Sequence, residues 1–138
     1  MLNEQSLLSL PGYALRRAAN ATAADLTARL DRIGIRLVDA TVLMLIADNP
    51  GTTSSAVGKV LDIQRANMVP LLKRLEDAGL IEREPIDRKS QGIAVTAGGK
   101  ARLAEVRRVI AEFEAELIER VPQRHRDHLL PALNALWR

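Results

Sequence analysis

Three groups of residues in this chain have the types and spacing to hold a charged, extended partner. Thr53, Ser54 and Ser55 set hydroxyls in a row just after a turn. There they, and the free N–H groups of a helix's first turn, can take a phosphate oxygen. Plain capping of that helix is an equal reading of the same hydroxyls, and the two are compatible. In the segment QRANMVPLLKRLEDAG, residues 64–79, Asn67 is suited to a bidentate bond with adenine and Arg65 to one with guanine. Arg88 and Lys89 stand side by side in a polar stretch. If that stretch is a hairpin tip they can enter a minor groove; as a plain solvated loop it would look much the same.

Enzyme chemistry has weaker support. Thr96-Ala97-Gly98-Gly99-Lys100 has the flavour of a phosphate loop but lacks the upstream glycine and preceding strand that such a loop needs. A glycine pair at a helix start explains it better. His125 and His128 lie one helical turn apart with Asp127 between them, so a metal site is conceivable. Arg124 and Arg126 are interleaved with them, and a solvated helix face is the plainer reading. No nucleophile–base pair stands out, so an enzyme is not expected, and neither is a cofactor.

The elements that must position these residues are legible from periodicity. In residues 64–79, Met68, Leu71, Leu72, Leu75 and Ala78 share one helical face. Ala66, Asn67, Pro70, Lys73, Arg74 and Asp77 share the other, with Arg65 and Val69 at a boundary. The first face can pack on a core and the second can meet a partner. Gly79 sits where a left-handed C-cap is expected. Pro70 removes one intrahelical hydrogen bond and disfavours helix at Val69, so a bend is expected there. Upstream, residues 52–63 read as a shorter helix whose Gly58 asks for a close helix crossing. Downstream, residues 81–84 and 93–96 read as short strands around a polar tip. Helix, turn, helix and a two-stranded wing is one way of placing a helix in a nucleic-acid groove.

The rest is helical. Ser9 and Pro11 mark the start of a first long helix that runs to Gly34. A helix spans roughly Leu37 to Ala47, closed by the turn Asp48-Asn49-Pro50-Gly51; its middle, VLMLIA, is almost uniformly apolar and reads as core. From Thr96 a long helix carries Leu103, Val106, Ile110, Phe113, Leu117 and Val121 at steps of three and four, a heptad-like seam that Pro122 ends. A last helix from about Gln123 carries Leu129, Leu130, Leu133, Leu136 and Trp137, with Pro131 expected to kink it. Strongly apolar helices at both ends of a small chain point to burial against a second copy.

Composition agrees. The 138 residues are 47% hydrophobic but include only three aromatics, so the core must be aliphatic, which favours helices. A net charge of +3 permits a nucleic-acid partner without requiring one, and residues 53–100 hold eight Lys/Arg against six Asp/Glu. With no cysteine there is no disulfide, thiolate metal site or thiol redox switch. No basic stretch precedes the first apolar residues, and no apolar run is long enough to span a bilayer, so a cytoplasmic chain with no membrane partner is expected.

Four stretches resemble the MarR family of bacterial winged helix-turn-helix regulators: LPGYALRRA, ADNPGTT, LKRLEDAGLIER and DRKSQGIAVTAGGKA. The resemblance covers nearly the whole chain and implies a mostly α fold with a small β-wing. It implies a winged helix-turn-helix DNA-binding lobe over residues 36–96 and a helical dimerisation region over 1–34 and 97–138. It further implies a homodimeric repressor on a pseudo-palindromic operator in double-stranded DNA, released by a small-molecule effector, commonly an aromatic or phenolic acid. An architectural DNA binder without an effector is the alternative.

By the same resemblance the recognition helix begins near Gln64 and turns Arg65, Ala66, Asn67, Val69 and Lys73 toward DNA. Positions matching Ala66, Val69 and Pro70 more often carry hydroxyl or basic residues in the family. Asp87 resembles the acid that fixes the wing through an ion pair, and Arg88 or Lys89 the cation that enters the groove. Tyr13, Arg16 and Arg17 are candidates to reach an anionic aromatic effector, or else to pack and solvate the dimer surface.

Overall fold

The structure is a computed structural model that describes residues 1–138. Helix α1 (Gln5–Leu8) is a single turn that periodicity did not predict, and α2 (Pro11–Arg32) follows it. Ser9 is not the cap of α2: its hydroxyl donates to the Ser6 carbonyl at the end of α1, and Leu10 occupies the N-cap. Pro11 then takes the first helical position, where its missing N–H costs little.

Helix α3 (Leu37–Asp48) is strongly apolar because most of its circumference is covered by neighbouring elements. It touches α2, α4 (Ser54–Leu61), α5 (Arg65–Asp77), the second wing strand and α6 (Ala97–Arg120). Val42, Leu43 and Ile46 are fully buried at the centre of one aliphatic core, joined by Leu30, Val57, Met68, Leu72 and Val106. The wing is an antiparallel pair, β1 (Ile81–Pro85) and β2 (Gln91–Val95), with Ile81 opposite Val95 and Pro85 opposite Gln91. A two-stranded hairpin is marginal alone. This one is extended by a bridge in which the Ile93 N–H donates to the Thr52 carbonyl at 2.7 Å and the Gly51 N–H to the Ile93 carbonyl at 2.9 Å.

The wing joins α6 through a tight contact. Thr96 caps α6, its hydroxyl oxygen accepting from the Gly99 N–H at 2.9 Å and donating to the Gly79 carbonyl at 2.5 Å. A Cβ on Gly99 would lie 2.0 Å from the Leu80 carbonyl oxygen, so only glycine fits. Glycine is needed here for packing on the wing, not to cradle a phosphate.

The helical ends differ from expectation. The last segment is a 3-10 turn (Gln123–His125) running into α7 (Arg126–Asn134), so Leu136 and Trp137 lie beyond the helix. Pro131 sits inside α7 without ending it. His125 accepts a hydrogen bond from the Arg124 guanidinium at 3.0 Å. No residue of α1 or α7 is buried, and Leu130, Leu136 and Trp137 are mostly exposed. Of the seam on α6, Leu103, Val106 and Phe113 are buried within the chain, with the Arg29 guanidinium 5.7 Å from the Phe113 ring centre. No helix is long and apolar enough to cross a membrane.

Candidate nucleic-acid interface

The geometry of α4 and α5 follows from how closely they cross. A Cβ on Gly58 would stand 2.8 Å from the Ile63 carbonyl and 3.3 Å from Met68 Cγ, which is the close approach that glycine's presence implied. Asp62 ends α4 in the left-handed region at φ 55°, where an aspartate is tolerated. That turn reverses the chain, and Met68 then anchors α5 in the core. The remaining faces of the first two turns of α5 are left in solvent: Gln64, Arg65, Ala66, Asn67, Val69 and Pro70 are all exposed.

Helix α5 runs unbroken from Arg65 to Asp77 with Pro70 inside it, so the proline does not end the element. Pro70 and Ala66 are both exposed, and water can serve the carbonyl that the proline leaves without a donor. Two placements on the α5 wheel are corrected. Ala78 is the exposed C-cap and not part of the packed face. Arg74 does not face outward to a partner: its guanidinium forks onto the buried Asp39 of α3, Nη2 to Oδ1 at 2.8 Å and Nε to Oδ2 at 3.2 Å. Asp39 in the first turn of α3 is the only buried charged side chain, and the bidentate pair supplies its compensation. It also fixes α5 against α3.

A cleft of about 730 Å³ opens between the start of α4, the exposed side of α5 and the wing. It brings together Thr53, Ser54, Ser55, Arg65, Val69, Asp87, Arg88 and Lys89. Thr53 caps α4, accepting from the Ala56 N–H at 3.2 Å, so one hydroxyl of the three is already engaged. Arg83, Pro85, Ser90, Gln91 and Ile93 line the same cleft and were not anticipated. Arg83 is held at the base of the wing by Glu76, Nε to Oε2 at 3.2 Å, an ion-pair contact whose alignment does not make a hydrogen bond. Strand alternation is the signal that would have found it, since Arg83 shares a face with the buried Ile81.

Gln64 and Asn67 lie round the other side of α5. They line a second concavity of about 630 Å³ with Val38, Asp62, Ile63, Pro70, Leu71 and Arg74. Ala66 and Lys73 line neither, and Lys73 pairs with Asp77 at 3.3 Å. Tyr13, Arg16 and Arg17 are on α2 and also line neither. Tyr13 is half-buried with the Arg17 guanidinium 5.9 Å from its ring centre, while Arg16 and Arg17 are exposed.

Asp87 works differently from the expected ion pair. Its Oδ1 accepts from the Lys89 N–H at 2.8 Å, the Ser90 N–H at 2.9 Å and the Ser90 hydroxyl at 3.0 Å. The acid closes the wing tip as a turn. Those hydrogen bonds, the Lys89 amide first, hold its carboxyl below the usual carboxylate range. A depressed folded-state value means the turn's contribution is complete above the ordinary value near 3.8 and is lost as pH falls through the lower one. Amide exchange at Lys89 and Ser90, corrected for intrinsic rates, should therefore stay flat from neutral pH to about 4 and accelerate below. Asp87→Ala should accelerate it at neutral pH, on the order of tenfold. Equal protection in the variant would remove Asp87 from this role.

The model of the MarR family matches residues 33–90, which hold α3, α4, α5, β1 and the wing tip. Over its full length the fold superposes on the transcriptional repressor CouR bound to a 23-mer DNA duplex, with a TM-score of 0.91 and 33% identity, covering 99% of that chain. The chain belongs to the MarR family. This MarR-family chain is also similar to CouR bound to p-coumaroyl-CoA, at 30% identity and a TM-score of 0.85 over all of this chain and 99% of that one. A relative in Thauera aromatica, a putative transcriptional regulatory protein for the hcr operon, is 30% identical over 99 residues, 70% of this chain. The chain spans 60% of that protein's length. Its class is thus a MarR-type transcriptional regulator with a winged helix-turn-helix fold.

Proposed function

We propose that this protein is a ligand-released repressor that binds a pseudo-palindromic operator as a homodimer. The observation that carries the reading is the cleft: α4 hydroxyls, the exposed turns of α5 and the wing cations lie on one surface of a chain that superposes on a DNA-bound repressor along its whole length. In this reading Thr53, Ser54 and Ser55 meet phosphates, and Gln64, Arg65, Ala66, Asn67 and Val69 meet base edges. Lys73, Arg88 and Lys89 supply charge along the backbone and in the minor groove. Asp87 supports the wing.

Residues 1–34 and 97–138 form the dimer region. The exposed Leu7, Leu8, Leu10 and Leu15 at one end, and Leu130, Leu133, Leu136 and Trp137 at the other, support it. Apolar side chains clustered this way on a small protein mark an association surface.

The effector is a small aromatic acid, free or as its coenzyme A thioester. The second form follows from the similarity to CouR, which binds p-coumaroyl-CoA. Tyr13, Arg16 and Arg17 are the candidates to meet its anionic part. Release requires only that the ligand prefer a dimer unable to engage both half-sites. A tenfold loss of DNA affinity needs about 1.4 kcal/mol of coupling, and by reciprocity DNA weakens the ligand by the same factor. The test is to titrate benzoate- and phenylpropanoid-type acids and their thioesters against the protein–operator complex by fluorescence anisotropy. At least one should weaken binding tenfold or more. Unchanged affinity across the panel would remove the effector and leave an architectural DNA binder.

A further inference from the structure

The base-facing surface of α5 carries an apolar group where water gains nothing from meeting it. Val69, at the boundary of the packed face, is 60% exposed, although that face is already supplied with core residues in Met68, Leu71, Leu72 and Leu75. Val69 is therefore not a core position out of register. Valine is also a modest helix former, so its presence in mid-helix does not serve α5 itself. It forms part of the wall of the 730 Å³ cleft, one turn from Arg65 and across from Arg88 and Lys89. Cations on both sides match a polyanion, and they leave Val69 as the apolar spot between them. Ala66, three residues earlier and also exposed, has no side chain beyond Cβ and lets that turn seat close to a base pair.

In the major groove a base edge offers acceptors, amino donors and only one apolar feature, the C5 methyl of thymine. Valine pressed on a cytosine or adenine amino group, or on guanine O6, would strip its water and return no hydrogen bond. Pressed on a thymine methyl it removes apolar surface from water on both sides. We propose that Val69 is a specificity-determining residue that reads a thymine methyl in each operator half-site, beside the base met by Arg65, which lines the same cleft. This rests on the DNA-binding reading above and adds the base class that it leaves open.

Single thymine-to-deoxyuridine substitutions in an operator selected from random DNA test it, because they delete the methyl and keep the base pair. One thymine per half-site should prove sensitive, with affinity falling about fourfold per half-site and about fifteenfold when both are substituted. Val69→Ala should bind the thymine and deoxyuridine operators alike. Val69 is exposed, so that variant should melt with the parent, and its unchanged Tm confirms that the loss of discrimination is local. If every deoxyuridine operator binds like the parent operator, or Val69→Ala discriminates as the parent does, the inference is wrong. If the parent protein selects no DNA at all, the reading on which it rests fails first.

Discussion

Inserting five base pairs between the half-sites of the operator is expected to lower affinity by about three orders of magnitude or more. A two-fold dimer presents two α5 helices, and these meet half-sites about one helical turn apart, on the order of 10 bp centre to centre. Five added pairs rotate one half-site to the far side of the duplex. One protomer then holds its site while the other meets none, and affinity falls toward the non-specific level, typically 10³-fold or more weaker. Titration by anisotropy at one fixed salt concentration reads the change. Because phosphate contacts dominate salt sensitivity, the spaced site should also show a flatter slope of affinity against salt. Equal affinity for both sites would mean that the protomers do not read DNA as a rigid pair.

Gly99→Ala is expected to destabilise the fold by about 3 kcal/mol, because overpacking against backbone leaves no flexible neighbour to yield. The added methyl would meet the Leu80 carbonyl oxygen at 2.0 Å and Val95 Cγ1 at 2.6 Å. The Leu80 carbonyl also accepts from the Thr96 N–H at 3.0 Å, so moving it breaks the joint between wing and α6. A fall of about 10 °C in Tm follows for a chain of this size. Gly98→Ala is the control: its Cβ would lie 3.4 Å from the Gly79 carbonyl, at ordinary contact, and it should cost little. Similar Tm values for Gly99→Ala and the parent would show that the close contact does not hold the wing.

The elements that sequence disclosed are those whose signal is local. The one-sided periodicity of residues 64–79 placed α5 and its packed face, and the apolar run of residues 42–47 placed α3 in the core. Gly58 announced the helix crossing and Thr96 the start of α6. What escaped depends on distant partners. Arg74 looked outward on a wheel because Asp39, its partner, is 35 residues away. Arg83 reached the cleft only through strand alternation and the charge of Glu76 on α5. The bridge from Thr52 to Ile93 joins a turn to a strand 41 positions on, and no local pattern encodes it.

Asp87 was legible but read by the wrong interaction. An aspartate three residues before a serine in a tight loop is placed to accept from the backbone and the serine hydroxyl, and Asp87 does both. The terminal helices were seen as apolar, and their ends were misplaced because no residue of α7 is held by core packing.

The central claim is that this protein reads a particular two-fold DNA sequence. Selection of bound duplexes from a random pool by the full chain, at about 0.15 M salt, tests it most directly. The account predicts a pseudo-palindrome with half-site centres about 10 bp apart, a thymine in each half, and affinity at least 10³-fold above random DNA. Recovery of no common sequence, with salt-sensitive binding of equal strength to every duplex, would contradict it.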